Sequence, residues 1–260
     1  MCFDLDSRPP DLPPGLRLAP LAGGAAAEIV ELRSADGAAF SAAIAESPQP
    51  RGSAVVVFPD VRGLHRFYVE LVERFAEAGH HAVVIDYFGR TAGTGERGED
   101  FEYWPHVRNS TPEQVRADAA AAIAALRGRV GETPVIVVGF CFGGAQAYLA
   151  AASDDLRHDG VIAFYGGLDG SRTGIPSPPD HVDRMRGPIL GLFGGADAGI
   201  PVERVEEFDA ALTRAGVEHE IVVYPGAPHS FFDRKYAEYA DACEDAWRRV
   251  LRFLERAPVP

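Results

Sequence analysis

Cysteine is scarce in this chain, and so are basic residues and long apolar runs. The three cysteines, Cys2, Cys141 and Cys243, form an odd set without the C-x-x-C spacing of a zinc or redox site. Such a set predicts neither a disulfide framework nor a metal centre, and it fits a reducing, cytoplasmic compartment. We expect Cys2 and Cys243 to have no chemical role.

Basic residues are outnumbered by acidic ones. There are 25 Lys and Arg against 38 Asp and Glu, which gives a formal net charge of -13. No cluster of lysines and arginines interrupts this balance, so the surface repels polyanions and we expect no nucleic-acid partner. A small anionic substrate stays compatible, because a few arginines can reverse the potential inside a cleft.

No apolar run approaches the length of a membrane span. The chain starts MCFDLDSRPPDLPPG, which is acidic and rich in proline where a signal peptide needs a basic stretch followed by an apolar one. We therefore expect neither export nor a membrane partner. The prolines within residues 1–26 predict an N-terminal arm on the surface, followed by a single domain over residues 27–260.

What the chain does contain is an alternation of short apolar strands and amphipathic helices. Residues 28–46 predict two antiparallel strands joined at a tight turn around Asp36 and Gly37. Six continuous apolar stretches follow, of the kind that suits strands buried on both faces of a parallel sheet. These stretches cover residues 53–59, 81–87, 134–140, 161–166, 188–194 and 220–225, and helical patterns cover 67–78, 112–127, 144–152, 202–215 and 236–256.

The predicted fold class is α/β, with a mostly parallel central sheet, an N-terminal antiparallel edge and helices on both faces. Two stretches, 89–110 and 167–186, lack this regular pattern. Irregular insertions after strand ends are where open α/β sheets build their pockets.

The most distinctive motif is GFCFGG at residues 139–144, which follows an apolar strand and opens a helix. It is a G-x-C-x-G form of the nucleophile elbow, in which glycines flank a sharp turn because side chains there would collide with the neighbouring strand and helix. At a helix N-terminus Cys141 would be favoured as a thiolate, and the amide of Phe142 would be aimed at an oxyanion. The alternative is a buried packing cysteine.

Two further residues follow later strands at the same edge of the sheet. Asp197 comes just after the stretch PILGLFG, and His229 just after EIVVYP. The order nucleophile, acid, histidine is that of α/β-hydrolases. Taken singly, Asp197 is an ordinary turn former and His229 an ordinary surface residue, but the three contexts together predict a Cys-His-Asp triad.

These pieces together resemble the dienelactone hydrolase family, from about Glu28 to Leu254. The resemblance implies an α/β-hydrolase fold, a Cys-His-Asp triad and hydrolysis of unsaturated lactones or related esters without a cofactor or a metal. The matching segments are GFCFGGAQAYLAAA, IDYFGR, AFYGG, FGGADAGIP and PGAPHSF.

Carried over residue by residue, the resemblance implies that Cys141 is the nucleophile, His229 the base and Asp197 the acid that orients the histidine. The amides of Phe142 and Val61 would form the oxyanion hole. The family has a glutamate that contacts the resting thiol, and here Asp60 stands at that position. Asp60 is one methylene shorter, so it could instead be a strand-end residue that caps nearby amides.

The resemblance also implies substrate-binding residues. Arg90 matches the first of two arginines that hold a substrate carboxylate, and Tyr165 matches an aromatic residue of the pocket. The second arginine would fall where this chain has Asp233, with Arg234 next to it. Trp104, in the aromatic stretch 101–106, is a further candidate for the pocket wall or a lid. Arg90 could equally be a surface residue, and the aromatic residues could be packing residues.

The expected function is therefore hydrolysis of a small ester or lactone through a thioester. Two alternatives stay open: a non-hydrolytic lactone isomerase or cyclase on the same scaffold, and a small-molecule binding protein that has lost turnover. The sequence leaves the choice between a monomer and a homodimer open.

Overall fold

An eight-stranded sheet forms the centre of the protein. We describe it from a computed structural model, in residues 7–18, 26–95, 97, 100–233 and 235–256. The strand order is β1-β2-β4-β3-β5-β6-β7-β8. The strands are β1 (Glu28–Arg33), β2 (Ala39–Ala45), β3 (Ala54–Phe58), β4 (Ala82–Ile85), β5 (Val135–Phe140), β6 (Gly160–Phe164), β7 (Ile189–Gly194) and β8 (His219–Tyr224).

The sheet is antiparallel only at the edge formed by its first two strands, β1 and β2. β1 pairs with β2 and β2 with β4 in antiparallel register, and the strands from β4 to β8 are parallel. Gly37 completes the β1–β2 turn at φ 86°, where its amide donates to the carbonyl of Ser34. The predicted mostly parallel sheet with an antiparallel edge is confirmed.

Helices cover both faces of the sheet. α1 and α7 meet on one face, where Phe75 and Trp247 lie edge to face with ring centroids 5.3 Å apart. α4, α5 and α6 cover the other face, and Tyr148 of α5 packs against Phe208 of α6. The helices are α1 (Arg66–Glu77), α2 (Gly89–Ala92), α3 (Tyr103–Arg108), α4 (Pro112–Val130), α5 (Phe142–Ala151), α6 (Val202–Ala215) and α7 (Ala240–Arg256).

The helix starts follow local sequence signals where these are strong. Thr111 caps α4 by accepting from the amide of Gln114, whose side chain accepts from the amide of Thr111 in return.

The two insertions are more regular than expected, since 89–110 contains α2 and α3 and 167–186 contains a 3₁₀ helix at Pro178–Arg184. Helices this short have too few turns to leave a readable period.

The N-terminal arm packs along α1 and α7 over its described part, residues 7–18. The indole Nε1–H of Trp247 donates to the carbonyl of Pro10, and the amide of Leu18 donates to the carbonyl of Glu77. Leu12 is buried in the main core. Within the described residues, no helix is long and apolar enough to cross a bilayer.

The elbow between β5 and α5 is the tightest approach of strand and helix. A Cβ atom added at Gly139 would lie 2.1 Å from the carbonyl oxygen of Gly143, and one at Gly143 would lie 2.1 Å from the carbonyl oxygen of Phe58 in β3. A Cβ at Gly144 would lie 2.6 Å from the Cα of Gly166. Only glycine fits at these three positions, because each obstacle is backbone, and the motif predicts this for Gly139 and Gly143.

This packing predicts opposite effects for two Gly→Ala changes in helices. Gly143→Ala forces β3 and α5 apart and should lower the free energy of unfolding by about 1–3 kcal/mol. Gly128→Ala, in the interior of α4 with nothing within 4 Å of the added Cβ, should raise it by about 0.4–1 kcal/mol. Urea unfolding of both variants checks this, and a Gly143→Ala protein as stable as the wild type would contradict it.

Candidate active site

Cys141 lies at the carboxyl edge of the sheet, between the end of β5 and the start of α5. Its backbone has φ 55° and ψ −111°, a conformation that non-glycine residues rarely adopt. The amide of Cys141 donates to the carbonyl of Phe164 in β6, and the carbonyl of Cys141 accepts from the amide of Ala145. Both backbone polar groups are therefore held while the side chain stays partly exposed.

The helix behind Cys141 contributes a directed amide. Phe142 is the first residue of α5, and the first amides of a helix have no acceptor within the helix. The positive end of the helix dipole lies at the same place, which favours a negative charge on sulfur or on a bound oxygen. Phe142 itself is buried, with its ring edge to face against Tyr87 at 5.4 Å.

Asp197 and His229 form a close pair after β7 and β8. Nδ1 of His229 lies 2.6 Å from Oδ2 of Asp197, while Oδ1 of Asp197 accepts from the amide of Gly199 at 2.8 Å. Since a carboxylate only accepts, Nδ1 carries the hydrogen and Nε2 is the nitrogen left for another partner. Asp197 is buried, whereas the His229 side chain is 22% exposed.

The two loops that carry this pair are bound to each other through their backbones. The amide of Gly195 donates to the carbonyl of Tyr224, and the amide of Ala196 donates to the carbonyl of Ala227. A Cβ atom at Gly194 would lie 2.4 Å from the carbonyl oxygen of Ala227. This contact fixes Asp197 relative to His229.

The electrostatics of His229 connect it to Cys141. Burial alone would lower the pKa of His229, but the neighbouring Cys141 and Asp197 raise it well above its ordinary value. The raised pKa of His229 therefore reflects two neighbours, Cys141 on one side and the hydrogen-bonded Asp197 on the other.

Backbone strain is concentrated at this place. Among the described residues, the non-glycine residues with positive φ are Cys141, Tyr165 and Ser230. Tyr165 follows β6 and lies against His229, with ring centroids 4.9 Å apart, and Ser230 follows His229 directly. Strained backbone of this kind persists where surrounding contacts over-determine it, and it is frequent at functional sites.

The loop after β3 brings a second amide to the same edge. The amide of Asp60 donates to Oη of Tyr68, and the amide of Arg62 donates to Oδ1 of Asp60 at 2.8 Å. The carbonyl of Pro59 accepts from Oη of Tyr87. Within the described part of the chain, no acceptor is found for the amide of Val61, and its role as a donor to an oxyanion stays a prediction.

The predicted contact of Asp60 with the thiol is not formed. Both carboxylate oxygens of Asp60 accept from the guanidinium of Arg62, at 2.5 to 3.0 Å. Burial would raise the pKa of Asp60, but the adjacent Arg62 holds it below its ordinary value. Asp60 caps an amide and binds Arg62, so it matches the alternative reading of a strand-end capping residue.

Arg62 is the residue at this site that the sequence did not reveal. It is buried, and its guanidinium also binds Oδ2 of Asp233, the residue that stands where the family resemblance leads one to expect an arginine. The spacing Asp60-x-Arg62 was the available signal. Its meaning depends on Asp233, which is far away in the sequence. Arg234 lies outside the described residues.

Arg90 is bound by carboxylates at the antiparallel side of the sheet. Its guanidinium binds Asp118 of α4 at 2.7 Å, Asp36 of the β1–β2 turn at 2.5 Å and the hydroxyl of Ser34 at 2.9 Å. Two carboxylates already balance its charge at the antiparallel edge of the sheet. The expectation that Arg90 holds a substrate carboxylate therefore does not agree with the geometry, and Arg90 is a structural cation here.

Trp104 lies where the two insertions meet. The guanidinium carbons of Arg108 and Arg172 lie 5.8 and 5.7 Å from the centre of a Trp104 ring. Arg172 belongs to the stretch 167–186 and Trp104 to 89–110, so this cation–π stack joins the two insertions beside the carboxyl edge of the sheet.

Within the described residues, no group of three or more potential metal-ligating side chains occurs.

Sequence similarity to known proteins extends over most of this chain. Residues 40–257 match the model of the Dienelactone hydrolase family. A protein of Synechocystis sp. named "Putative carboxymethylenebutenolidase" is 31% identical over 210 residues, which cover 77% of this chain and 85% of the relative. A protein of the same name from Saccharolobus solfataricus is 29% identical over 261 residues, which cover 85% of this chain and 95% of the relative.

Solved structures agree with this. A crystal structure from Klebsiella pneumoniae, named "Putative Dienelactone Hydrolase", aligns with a TM-score of 0.74 and 28% identity over 88% of this chain and 99% of that one. An esterase of Pyrococcus furiosus aligns with a TM-score of 0.64 at 17% identity, over 89% of this chain and 92% of that one, and shares the fold alone. The predicted α/β-hydrolase fold is confirmed, and the chain belongs to the dienelactone hydrolase family.

Proposed function

We propose that this hydrolase cleaves a small carboxylic ester or enol lactone, with Cys141 as nucleophile, His229 as general base and Asp197 as the residue that orients His229. The observation that carries the proposal is the hydrogen bond from Nδ1 of His229 to Asp197, next to a Cys141 that lies at the strained elbow and raises the pKa of His229. The relatives named carboxymethylenebutenolidase support an ester-type substrate for this chain as well.

Acylation begins with the Cys141 sulfur as a thiolate and His229 as its imidazolium partner. The sulfur attacks the substrate carbonyl, and the negative charge that develops on the carbonyl oxygen is bound by the amides of Phe142 and Val61. When the tetrahedral intermediate collapses, the C–O bond breaks. The leaving oxygen takes the proton from Nε2 of His229, and a thioester on Cys141 remains.

Deacylation uses the same groups. The neutral imidazole of His229 takes a proton from water, and the hydroxide formed attacks the thioester carbonyl. The C–S bond then breaks, the acid is released, and the thiolate is restored beside the imidazolium. Asp197 keeps Nδ1 protonated throughout, so that Nε2 is always the nitrogen that exchanges the proton.

The nucleophile restricts the substrate class. A thiolate is a better leaving group than an alkoxide, so collapse of the intermediate returns to substrate unless the departing oxygen is stabilised. The enolate released from an enol lactone and the phenolate released from a phenyl ester are stabilised leaving groups. The amine nitrogen of an amide is not, so we expect amides to be poor substrates. The reaction needs no cofactor, because every proton and bond is accounted for by the substrate, water and the three side chains. We expect the enzyme to act in the cytoplasm on a small-molecule substrate, as a monomer or a homodimer.

The first expected outcome concerns the two described cysteines. Cys141→Ala should lower kcat/KM for p-nitrophenyl acetate by about 10³-fold or more, because no other group can form the thioester. Cys243→Ala is the matched control and should keep wild-type activity. Cys243 is buried against the carbonyl of Phe231, and burial raises its pKa to about 12.

Steady-state hydrolysis by the three proteins checks this. Equal activity in Cys141→Ala and the wild type would remove Cys141 from the mechanism. Inactivity of all three proteins with every ester and enol lactone tried would favour a binding protein instead.

The second expected outcome concerns the pKa of His229. In the wild type it should lie above 6.5, and in Cys141→Ala it should fall, because the anionic sulfur that favours the imidazolium is gone. NMR titration of the histidine Cε1–H signals measures both values, and the signal that is lost in His229→Gln identifies the residue. Burial lowers the pKa of His65 and of His80 to about 4, so both stay clear of this range. A His229 pKa that is the same in both proteins would contradict the ion pair.

A further inference from the structure

A buried ion network joins two loops of the site. It consists of Asp60, Arg62 and Asp233, whose side chains are 9%, 4% and 2% exposed. Asp60 and Arg62 flank Val61 in the loop after β3, and Asp233 follows His229 by four residues in the loop after β8. The loop that carries the predicted oxyanion donor and the loop that carries the predicted base are thus linked through Arg62.

The guanidinium of Arg62 lies at the centre of the network. Nε and Nη2 of Arg62 bind both oxygens of Asp60, Nη2 also binds Oδ2 of Asp233, and Nη1 lies 3.4 Å from the hydroxyl of Ser7 in the N-terminal arm. Oδ1 of Asp60 also accepts from the amide of Arg62. Burial raises the pKa of Asp233, while Arg62 opposes that rise.

Such a network costs a large desolvation penalty. Replacing buried ion pairs by apolar side chains is often neutral or stabilising, so stability alone does not explain three buried charged groups. What the network does provide is geometry. A bidentate arginine–carboxylate contact fixes both distance and orientation, which a hydrophobic contact does not.

The geometry it fixes is that of the Val61 amide. On one side of Val61 the amide of Asp60 is held by Tyr68, and on the other side the amide of Arg62 is held by Asp60. The amide of Gly63 donates to the carbonyl of Asp60, which closes the turn. The amides on both sides of Val61 are therefore engaged, and the Val61 amide lies between them in a turn that these bonds hold.

We propose that Arg62 is a positioning residue, which holds the Val61 amide in register with Phe142 and with the His229 loop through its contacts to Asp60 and Asp233. The inference rests on the proposed function, since it assigns Arg62 a role in oxyanion binding. It can be tested separately from the thiolate, because Arg62 binds Asp60 and Asp233, whereas Cys141 is a neighbour of His229.

The experiment compares two reactions of the same sulfur. Ester hydrolysis needs the oxyanion hole, whereas alkylation of Cys141 by iodoacetamide needs the thiolate but forms no oxyanion. In Arg62→Met, kcat/KM for p-nitrophenyl acetate should fall by about 10- to 100-fold, approaching the loss of one oxyanion donor. The alkylation rate at a fixed pH should stay at the wild-type value. A variant that is merely less folded would change both rates by way of the folded fraction and would show a lower Tm.

Two further variants keep the test decisive. Arg62→Lys retains the charge but cannot make the bidentate contact, so its hydrolysis rate should lie between those of the wild type and Arg62→Met. If Arg62→Met does not fold, the hydrolysis and alkylation rates of Arg62→Lys decide the test. Arg116→Met is the matched control, because Arg116 is nearly as buried and contacts the two carboxylates of Glu113 and Asp155. It should leave both rates unchanged.

The outcomes separate this inference from the proposed function. Wild-type hydrolysis in Arg62→Met, or in Arg62→Lys if the former is unfolded, overturns the positioning role. Equal losses of hydrolysis and alkylation also overturn it, because the thiolate or the fold would then be affected. Failure of Cys141→Ala to reduce hydrolysis sinks the proposed function itself, independently of Arg62.

Discussion

The site depends on the contact between the backbones of β3, β5 and α5 at the elbow. Gly139 and Gly143 let the first turn of α5 lie directly on two strand ends, so that Cys141 is lifted into a strained conformation at the carboxyl edge of the sheet. A wider elbow would move the Phe142 amide and the sulfur together. Because β3 ends at the same contact, the Val61 loop is positioned by it as well.

Around this contact, the parallel sheet brings the remaining groups together. The loops after β6, β7 and β8 reach the same edge with Tyr165, Asp197 and His229. They lie close enough for ring contact, hydrogen bonding and a raised pKa of His229. Side chains that are far apart in the sequence thus become one chemical unit because parallel strands end on one side.

Much of this could be predicted from the sequence, for definite physical reasons. Buried parallel strands are continuous apolar stretches, and the elbow glycines have no substitute, so both leave local signals. The same holds for the Thr111 capping box. The order Cys141, Asp197, His229 then follows from strand order, and the hydrogen bond between Asp197 and His229 agrees with it.

Charged partners could not be predicted in this way. Arg90 is bound by Asp36 and Asp118, which only the folded chain brings close to it. Asp60 and Arg62 are two residues apart, but their spacing alone does not show that they pair. Arg62 shows this best, since its second carboxylate comes from the loop after β8. The partners of a long side chain with several donors depend on which acceptors lie near it in the folded protein. A local sequence pattern does not contain that information.

The central claim is that the acyl group passes through Cys141. The most direct measurement is peptide mass spectrometry of protein quenched in acid during turnover of p-nitrophenyl acetate. The account predicts a thioester-linked acetyl group on the peptide that contains Cys141, and its loss on treatment with neutral hydroxylamine. An acetyl group found only on another residue, with Cys141 unmodified during turnover, would contradict it.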